Sequence, residues 1–289
     1  METDRREFLR SGIVASASLL ATGFNLYANP YGLPVGLQLY TVRQQLQADF
    51  PGTLRNVAAI GYKEVEFAGF GKEPVPQIRR LLATDGLKAP SGHFGYQQLD
   101  SNLDTIIKDA HALGMNYIVL PSLPNSMRHS VEAYKRGADF MTKTGKQCRK
   151  AGLHFAYHNH NLDFETFNGV IAFDLLLQNT DPTYVNFEMD CFWVTRAGYD
   201  PVAYMDKYPG RFPLLHIKDE RRHYPPTATG PTPRTLFAPV GRGIVDWKRI
   251  FKAARKGGLK YYFVEQDQTE LPPFQAIRIS YDYLHRLTV

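Results

Sequence analysis

The sequence predicts an α/β protein built as a single closed (β/α)8 barrel, on three observations. From Pro34 onward, eight short apolar runs alternate with amphipathic segments. Several of those segments end in a glycine directly before the next run, as helices do where the backbone must turn left-handed. No hairpin signal joins successive runs, which argues for parallel strands joined by helical crossovers.

In chain order the expected strands are Val35–Val42, Tyr62–Phe67, Leu87–His93, Asn116–Pro121, Leu153–His158, Tyr184–Asp190, Pro213–Ile217 and Lys260–Glu265. Most are rich in β-branched or aromatic residues and are followed by polar or turn residues. Pro213 is tolerated because it opens its strand, where no ladder donor is yet required. Between the runs, Phe50–Ile60 places Leu54, Val57, Ala58 and Ile60 on one helical face, and Asn102–Leu113 does the same with Leu103, Ile106, Ile107 and Ala110. Gly61, Gly114, Gly152 and Gly258 stand where these and later helices should stop. The one long connection, about Asp219 to Val245, holds five prolines and is expected to lie as a loop over the active-site end. An open doubly wound sheet would want a glycine-rich turn after the first strand, and Leu39-Tyr40-Thr41-Val42-Arg43 offers none.

Composition narrows the function classes. Two cysteines cannot build a disulfide scaffold. The 34 Lys+Arg against 28 Asp+Glu leave a net charge of +6 without a basic run, so nucleic acid is not an expected partner. Residues 1–30 are set apart from the barrel, residues 31–289. Asp4-Arg5-Arg6-Glu7-Phe8-Leu9-Arg10 precedes a modestly apolar, Ala- and Ser-rich stretch from Ser11 to Phe24, the layout of a signal peptide. The paired arginines followed by x-Phe-Leu resemble a twin-arginine signal, which implies the twin-arginine export machinery as a partner and a periplasmic location. No other run approaches the roughly 18 apolar residues of a membrane span, so no transmembrane span is expected beyond the signal peptide.

Catalytic residues of such barrels stand where strands end. Those positions carry Gln38, Arg43, Glu66, His93, His158-Asn159-His160, Glu188, Asp190, His216, Lys218, Asp219, Glu265, Gln266 and Asp267. Alternation puts Glu188 and Asp190 on one side of their strand. Buried carboxylates without partners cost several kcal/mol, and a shared divalent cation is an economical partner. Carboxylate and imidazole donors suit Mn, Co, Zn or Mg.

The residues also resemble a known family. Gly36-Leu37-Gln38-Leu39-Tyr40-Thr41-Val42-Arg43, Ala156-Tyr157-His158-Asn159-His160, Phe187-Glu188-Met189-Asp190-Cys191-Phe192-Trp193, Leu215-His216-Ile217-Lys218-Asp219, Val240-Gly241-Arg242-Gly243-Ile244-Val245-Asp246-Trp247 and Phe263-Val264-Glu265 look like the xylose-isomerase-like sugar (phosphate) isomerase/epimerase family, in the right order, from residue 35 to 285. The resemblance implies Asp190, His216 and Glu265 as metal ligands. It also implies Arg222 as a substrate contact, and proton movement beside a sugar carbonyl through an enediolate, with Glu265 as base. One position departs: the epimerase branch has a glutamate at the end of strand five, expected here at Ala156 or nearby. His158 is the leading replacement as ligand and catalytic partner, with His160, Glu188 or a weak or absent metal as alternatives.

His93, Glu66, Lys218, Arg222 and Trp193 are expected to contact substrate; Tyr40 and Phe94 are expected to pack. Cys191 lacks a base and orienter for a nucleophile. Three readings follow. The first is a metal-dependent isomerase or epimerase acting on a small carbohydrate or keto-sugar. The second is a keto-sugar dehydratase or lyase that needs only one base. The third is a non-catalytic periplasmic sugar-binding barrel. A monomer and an oligomer are both compatible with the chain.

Overall fold

A computed structural model describes residues 29–221, 224–230 and 232–289. The signal peptide expectation therefore falls almost entirely outside the described residues, as does Arg222. Eight strands form the barrel: β1 Gly36–Gln38, β2 Glu64–Ala68, β3 Lys88–His93, β4 Tyr117–Leu120, β5 His154–His158, β6 Val185–Asp190, β7 Leu214–Ile217 and β8 Tyr261–Val264. Each pairs in parallel with its sequence neighbours, and β1 pairs with β8 to close the ring. Closure depends on Gly36, whose partner in the ladder is Phe263. A Cβ there would meet the Phe263 ring at 2.4 Å and the Tyr262 carbonyl oxygen at 2.7 Å.

The crossovers are helical. Phe50–Ile60, Val75–Asp85, Tyr96–Leu113, Val131–Lys150, Ala172–Asn179, Trp247–Gly257 and Pro273–Arg286 bury apolar faces against the barrel. Trp247–Gly257 shows how: Trp247, Ile250, Phe251 and Ala254 recur at helical spacing and are all buried. Burying a side chain such as Phe251 contributes about 1.5–3 kcal/mol. Its start is capped by the Asp246 carboxylate, which accepts the Arg249 N–H at 3.0 Å. Gly258 ends it at φ +92°.

Three expectations are corrected. Only Gly36–Gln38 of the first run is strand, because the Gln38 side chain accepts the Tyr40 N–H at 3.0 Å and turns Leu39–Val42 into a 3-10 helix. Two short antiparallel pairs exist outside the barrel, Thr166–Phe167 with Val170–Ile171 and Asp219–Glu220 with Phe237–Ala238. The first turns through Asn168-Gly169, both at positive φ, the pairing that a two-residue hairpin favours. The long connection after β7 is likewise not free loop. The Asp219 carboxylate accepts the N–H groups of Gly241, Gly243 and Val245 and the Trp247 indole, at 2.9–3.2 Å, and folds its far end back onto the barrel.

Inside the barrel, Tyr117, Val119, Ala156, Leu214 and Phe263 make an apolar floor. Two residues further along three of those strands stand His158, His216 and Glu265, so alternation lifts a polar layer directly above the apolar one. Among the described residues no helix is long and apolar enough to cross a membrane.

Candidate metal centre

The polar layer gathers donors from six strands. His158, Asp190, His216 and Glu265 each offer an atom lying within 4.8 Å of the others, and all four are buried. His158 ends β5 and Asp190 ends β6, where its Oδ1 also accepts the Trp193 N–H at 2.9 Å and caps the helix Cys191–Arg196. Asn159 braces the same corner by accepting the Asp190 N–H at 3.0 Å. Ala156, where a strand-five glutamate is expected, lies in the apolar floor, one layer below the donors.

The two imidazoles are oriented from behind. His216 Nε2 lies 2.7 Å from Glu66 Oε2, while its Nδ1 lies 2.9 Å from Glu265 Oε2. His158 Nδ1 faces Glu188 Oε2 at 3.2 Å and its Nε2 faces Asp190 Oδ2 at 4.0 Å. Glu66 is thus the acceptor behind the outer nitrogen of His216, and Glu188 lies against the outer nitrogen of His158 as a charge, which leaves the inner nitrogens toward Asp190 and Glu265. A carboxylate behind a metal-ligating histidine has this role: it sets the tautomer and makes the ring more basic. Glu66 is in turn held by Gln38 Nε2 at 2.7 Å and Ser91 Oγ at 2.6 Å. His93 bridges the two carboxylates, 2.7 Å from Glu188 and 3.2 Å from Glu66.

Charge balance explains the protonation pattern. Burial opposes charge on His93, but Glu66 and Glu188 override it and push the imidazole up to about 10. Burial also opposes charge on His216, and Glu188 and Glu265 hold it well above the ordinary histidine range. For Glu265 burial favours the neutral acid, yet Lys218 and His216 keep it well below the usual carboxylate range. His158 goes the other way, lowered by burial and then by His216, and stays neutral. Burial raises Asp190 to about 6 against the pull of Lys218 and His216. The Lys218 ammonium sits 3.0 Å from Asp190, 2.8 Å from Glu265 and 2.6 Å from Asp267.

The donor set fits a divalent cation. Two imidazoles and two carboxylates suit zinc or manganese. Asp190 Oδ2, on the inner side of the cluster, is buried without an aligned hydrogen bond among the described residues, so the protein's own groups do not fully use it. A cation here would replace a proton on His216 Nδ1, which makes occupancy pH-linked.

A cavity of about 470 Å³ opens above these groups, lined among others by Tyr40, His93, His158, His160, Glu265 and Asp267. His160 is kept neutral, pushed down to about 3 by burial and by Lys218. Of the expected substrate contacts, His93 reaches this wall. Glu66 is wholly buried behind His216, and Lys218 is wholly buried with Nζ 5.1 Å from the Trp193 ring centroid. Trp193 is 5% exposed and packs with Phe192, Leu236 and Phe237. Ser91 joins the site without standing among the strand-end positions singled out in the sequence, whereas Asp267 is one of them. Ser91 lies two residues before His93 on the same strand face, which is the signal that marks it.

Known proteins share this architecture. A curated relative, the inosose dehydratase of Geobacillus kaustophilus, is 23% identical over 267 residues, covering 81% of this chain and 86% of its own. The crystal structure of a sugar phosphate isomerase/epimerase from Parabacteroides distasonis is 28% identical and superposes with a TM-score of 0.72 over 88% of this chain and 94% of that one. The IOLI protein, solved with a bound zinc atom, shares the fold at 15% identity, with a TM-score of 0.69 over 86% of this chain and 96% of its own. The family model described as xylose isomerase-like TIM barrel matches residues 54–287, and the chain belongs to that family.

Proposed function

We propose that this protein is a divalent-metal-dependent lyase that removes a proton beside the carbonyl of a keto-sugar and expels a leaving group from the neighbouring carbon. The observation that carries the reading is the asymmetry of the acid/base groups. At the end of β5 the group facing the cavity is the neutral imidazole of His158, where a two-carboxylate epimerisation would place its second carboxylate. Glu188, the nearest other carboxylate on that side, is wholly buried behind the imidazoles. Elimination needs one base and a route for one leaving group, and the relatives named as inosose dehydratases fit that chemistry.

His158, Asp190, His216 and Glu265 would hold the metal. When bound, the cation supplies Lewis-acid polarisation of the substrate's carbonyl and adjacent oxygen. Glu265, ionised and at the cavity wall, accepts the proton. Lys218 holds Glu265, Asp190 and Asp267 in place from below. Asp267 has its carboxyl raised by burial, opposed by the Lys218 charge, and stands at the wall as the donor to a departing oxygen. The expectation of an isomerase or epimerase extends to the family and no further in this reading.

Incubating the Mn²⁺-supplemented chain with an inosose in D₂O separates the readings by mass and proton spectra. A lyase forms a product lighter by one water. An epimerase forms a stereoisomer carrying deuterium at the carbon beside the carbonyl. A binding protein leaves the sugar unchanged, and the last two results would each reject the lyase. Glu265→Gln should abolish turnover with the far-ultraviolet spectrum intact. The periplasmic location is part of the proposal and rests on Arg5-Arg6 and the apolar stretch behind them.

A further inference from the structure

The cavity above the metal centre shares Tyr40, Ala68 and Gly69 with a neighbouring cleft of about 670 Å³. This cleft runs between the helix Arg43–Ala48 and the segment that follows β2. Chemical character changes across the shared saddle. The first compartment is walled by imidazoles and carboxylates; the second is walled by Leu39, Leu46, Phe50, Phe67 and Phe70. Its polar side chains are Arg43, Gln47, Lys72 and Glu73, of which Gln47 and Lys72 are exposed and Arg43 and Glu73 half-buried. Each compartment lies within the roughly 300–1,000 Å³ range of small-molecule sites.

Tyr40 stands on the saddle and is 41% exposed, which corrects its expected role as a packing residue. Its position is fixed from three directions. Its N–H donates to Gln38 Oε1 at 3.0 Å, and its carbonyl accepts Arg43 Nη1 at 2.8 Å. The Arg43 guanidinium lies 4.0 Å from the ring centroid and reaches on to the Asp267 carbonyl at 2.9 Å. A ring held this way gives up little freedom when a second ring stacks on it. Polar and apolar compartments in series, with a braced aromatic ring between them, match a two-part ligand.

We infer that the substrate is a keto-sugar glycoside whose sugar ring occupies the metal-centre cavity and whose aromatic aglycone stacks on Tyr40 and enters the apolar cleft. The inference rests on the lyase reading and deepens it, since elimination expels a group and the cleft receives an apolar one. An aryl group suits the Leu46, Phe50 and Phe70 side of the cleft, where a second sugar ring would find no partner for its hydroxyls and would have to reach Arg43, Gln47, Lys72 or Glu73.

The test is calorimetric titration of the full chain with 4-nitrophenyl β-D-glucopyranoside and methyl β-D-glucopyranoside, neither of which carries the keto group needed for turnover. The aryl glycoside is expected to bind about tenfold more tightly. Phe70→Ala and Leu46→Ser should each shrink that preference and leave methyl glycoside affinity unchanged. Equal affinities, no binding of either glycoside, or a preference untouched by both variants would overturn the inference. So would cellobiose binding as tightly as the aryl glycoside. Aryl preference in a chain that takes up no metal supports the cleft and sinks the metal reading. Metal uptake and inosose turnover without aryl preference does the reverse.

Discussion

Glu66→Gln isolates the support behind His216. Three donors converge on Glu66 Oε2: His216 Nε2 at 2.7 Å, Gln38 Nε2 at 2.7 Å and His93 Nε2 at 3.2 Å. Ser91 Oγ donates to Oε1 at 2.6 Å. A glutamine can keep its carbonyl oxygen toward the three donors and turn its NH₂ toward Ser91, whose hydroxyl is able to accept as well as donate. The geometry then survives while the negative charge behind the imidazole is lost. Removing such a partner costs about 10–100-fold in metal affinity, or about 1.4–2.7 kcal/mol. Calorimetric titration of Mn²⁺ into chelator-stripped protein at pH 7 reads this directly, with circular dichroism to confirm folding. Affinity within a factor of about three of the parent chain would refute the argument, because His216 would then be oriented without Glu66.

Other consequences follow from the same structure. Asp163 is buried, accepts the Tyr157 hydroxyl at 2.9 and 3.0 Å and the His160 N–H at 2.9 Å, and is raised by burial from 3.8 to about 6. The folded state therefore binds its proton more tightly than the unfolded state. The resulting stabilisation is present below pH 3.8 and is lost as pH rises through about 6. Urea unfolding should show the parent chain losing about 2 kcal/mol relative to Asp163→Asn between pH 4 and 7; a pH-independent difference would contradict the linkage. Gly36→Ala drives a methyl group into Phe263 and the Tyr262 carbonyl, and should lower stability by about 1–3 kcal/mol in the same assay. The paired change Arg5→Lys and Arg6→Lys should retain the full-length chain in the cytoplasm on cell fractionation, and unchanged periplasmic recovery would remove the export proposal.

The barrel was legible because its strands are buried on both faces, so each appears as a compact apolar run whose last polar residue marks the catalytic end. Asp190, His216 and Glu265 stand out for that reason: a charge closing an apolar strand needs a partner. The phase of β5 is harder to read. Ala156 and His158 point the same way, and only the height of the barrel floor decides which of them enters the polar layer. Gln38 is visible at the end of β1, but its two tasks, turning the chain at Tyr40 and holding Glu66, depend on neighbours far apart in sequence. Ser91 carries no signal except its alternation with His93. The hairpin at Asn168-Gly169 is a different matter, since the dipeptide that builds it is plain in the sequence.

Five buried or nearly buried carboxylates, Glu66, Glu188, Asp190, Glu265 and Asp267, share one lysine and a pair of protonated imidazoles. The central claim is that a divalent cation takes part in this balance. Elemental analysis of the chain by plasma mass spectrometry, beside an Asp190→Ala/His216→Ala double variant, tests it most directly. The account predicts about one Mn, Co, Zn or Mg per chain, lost in the variant. Absence of metal from the parent chain after incubation with Mn²⁺, or equal metal in both proteins, would contradict it.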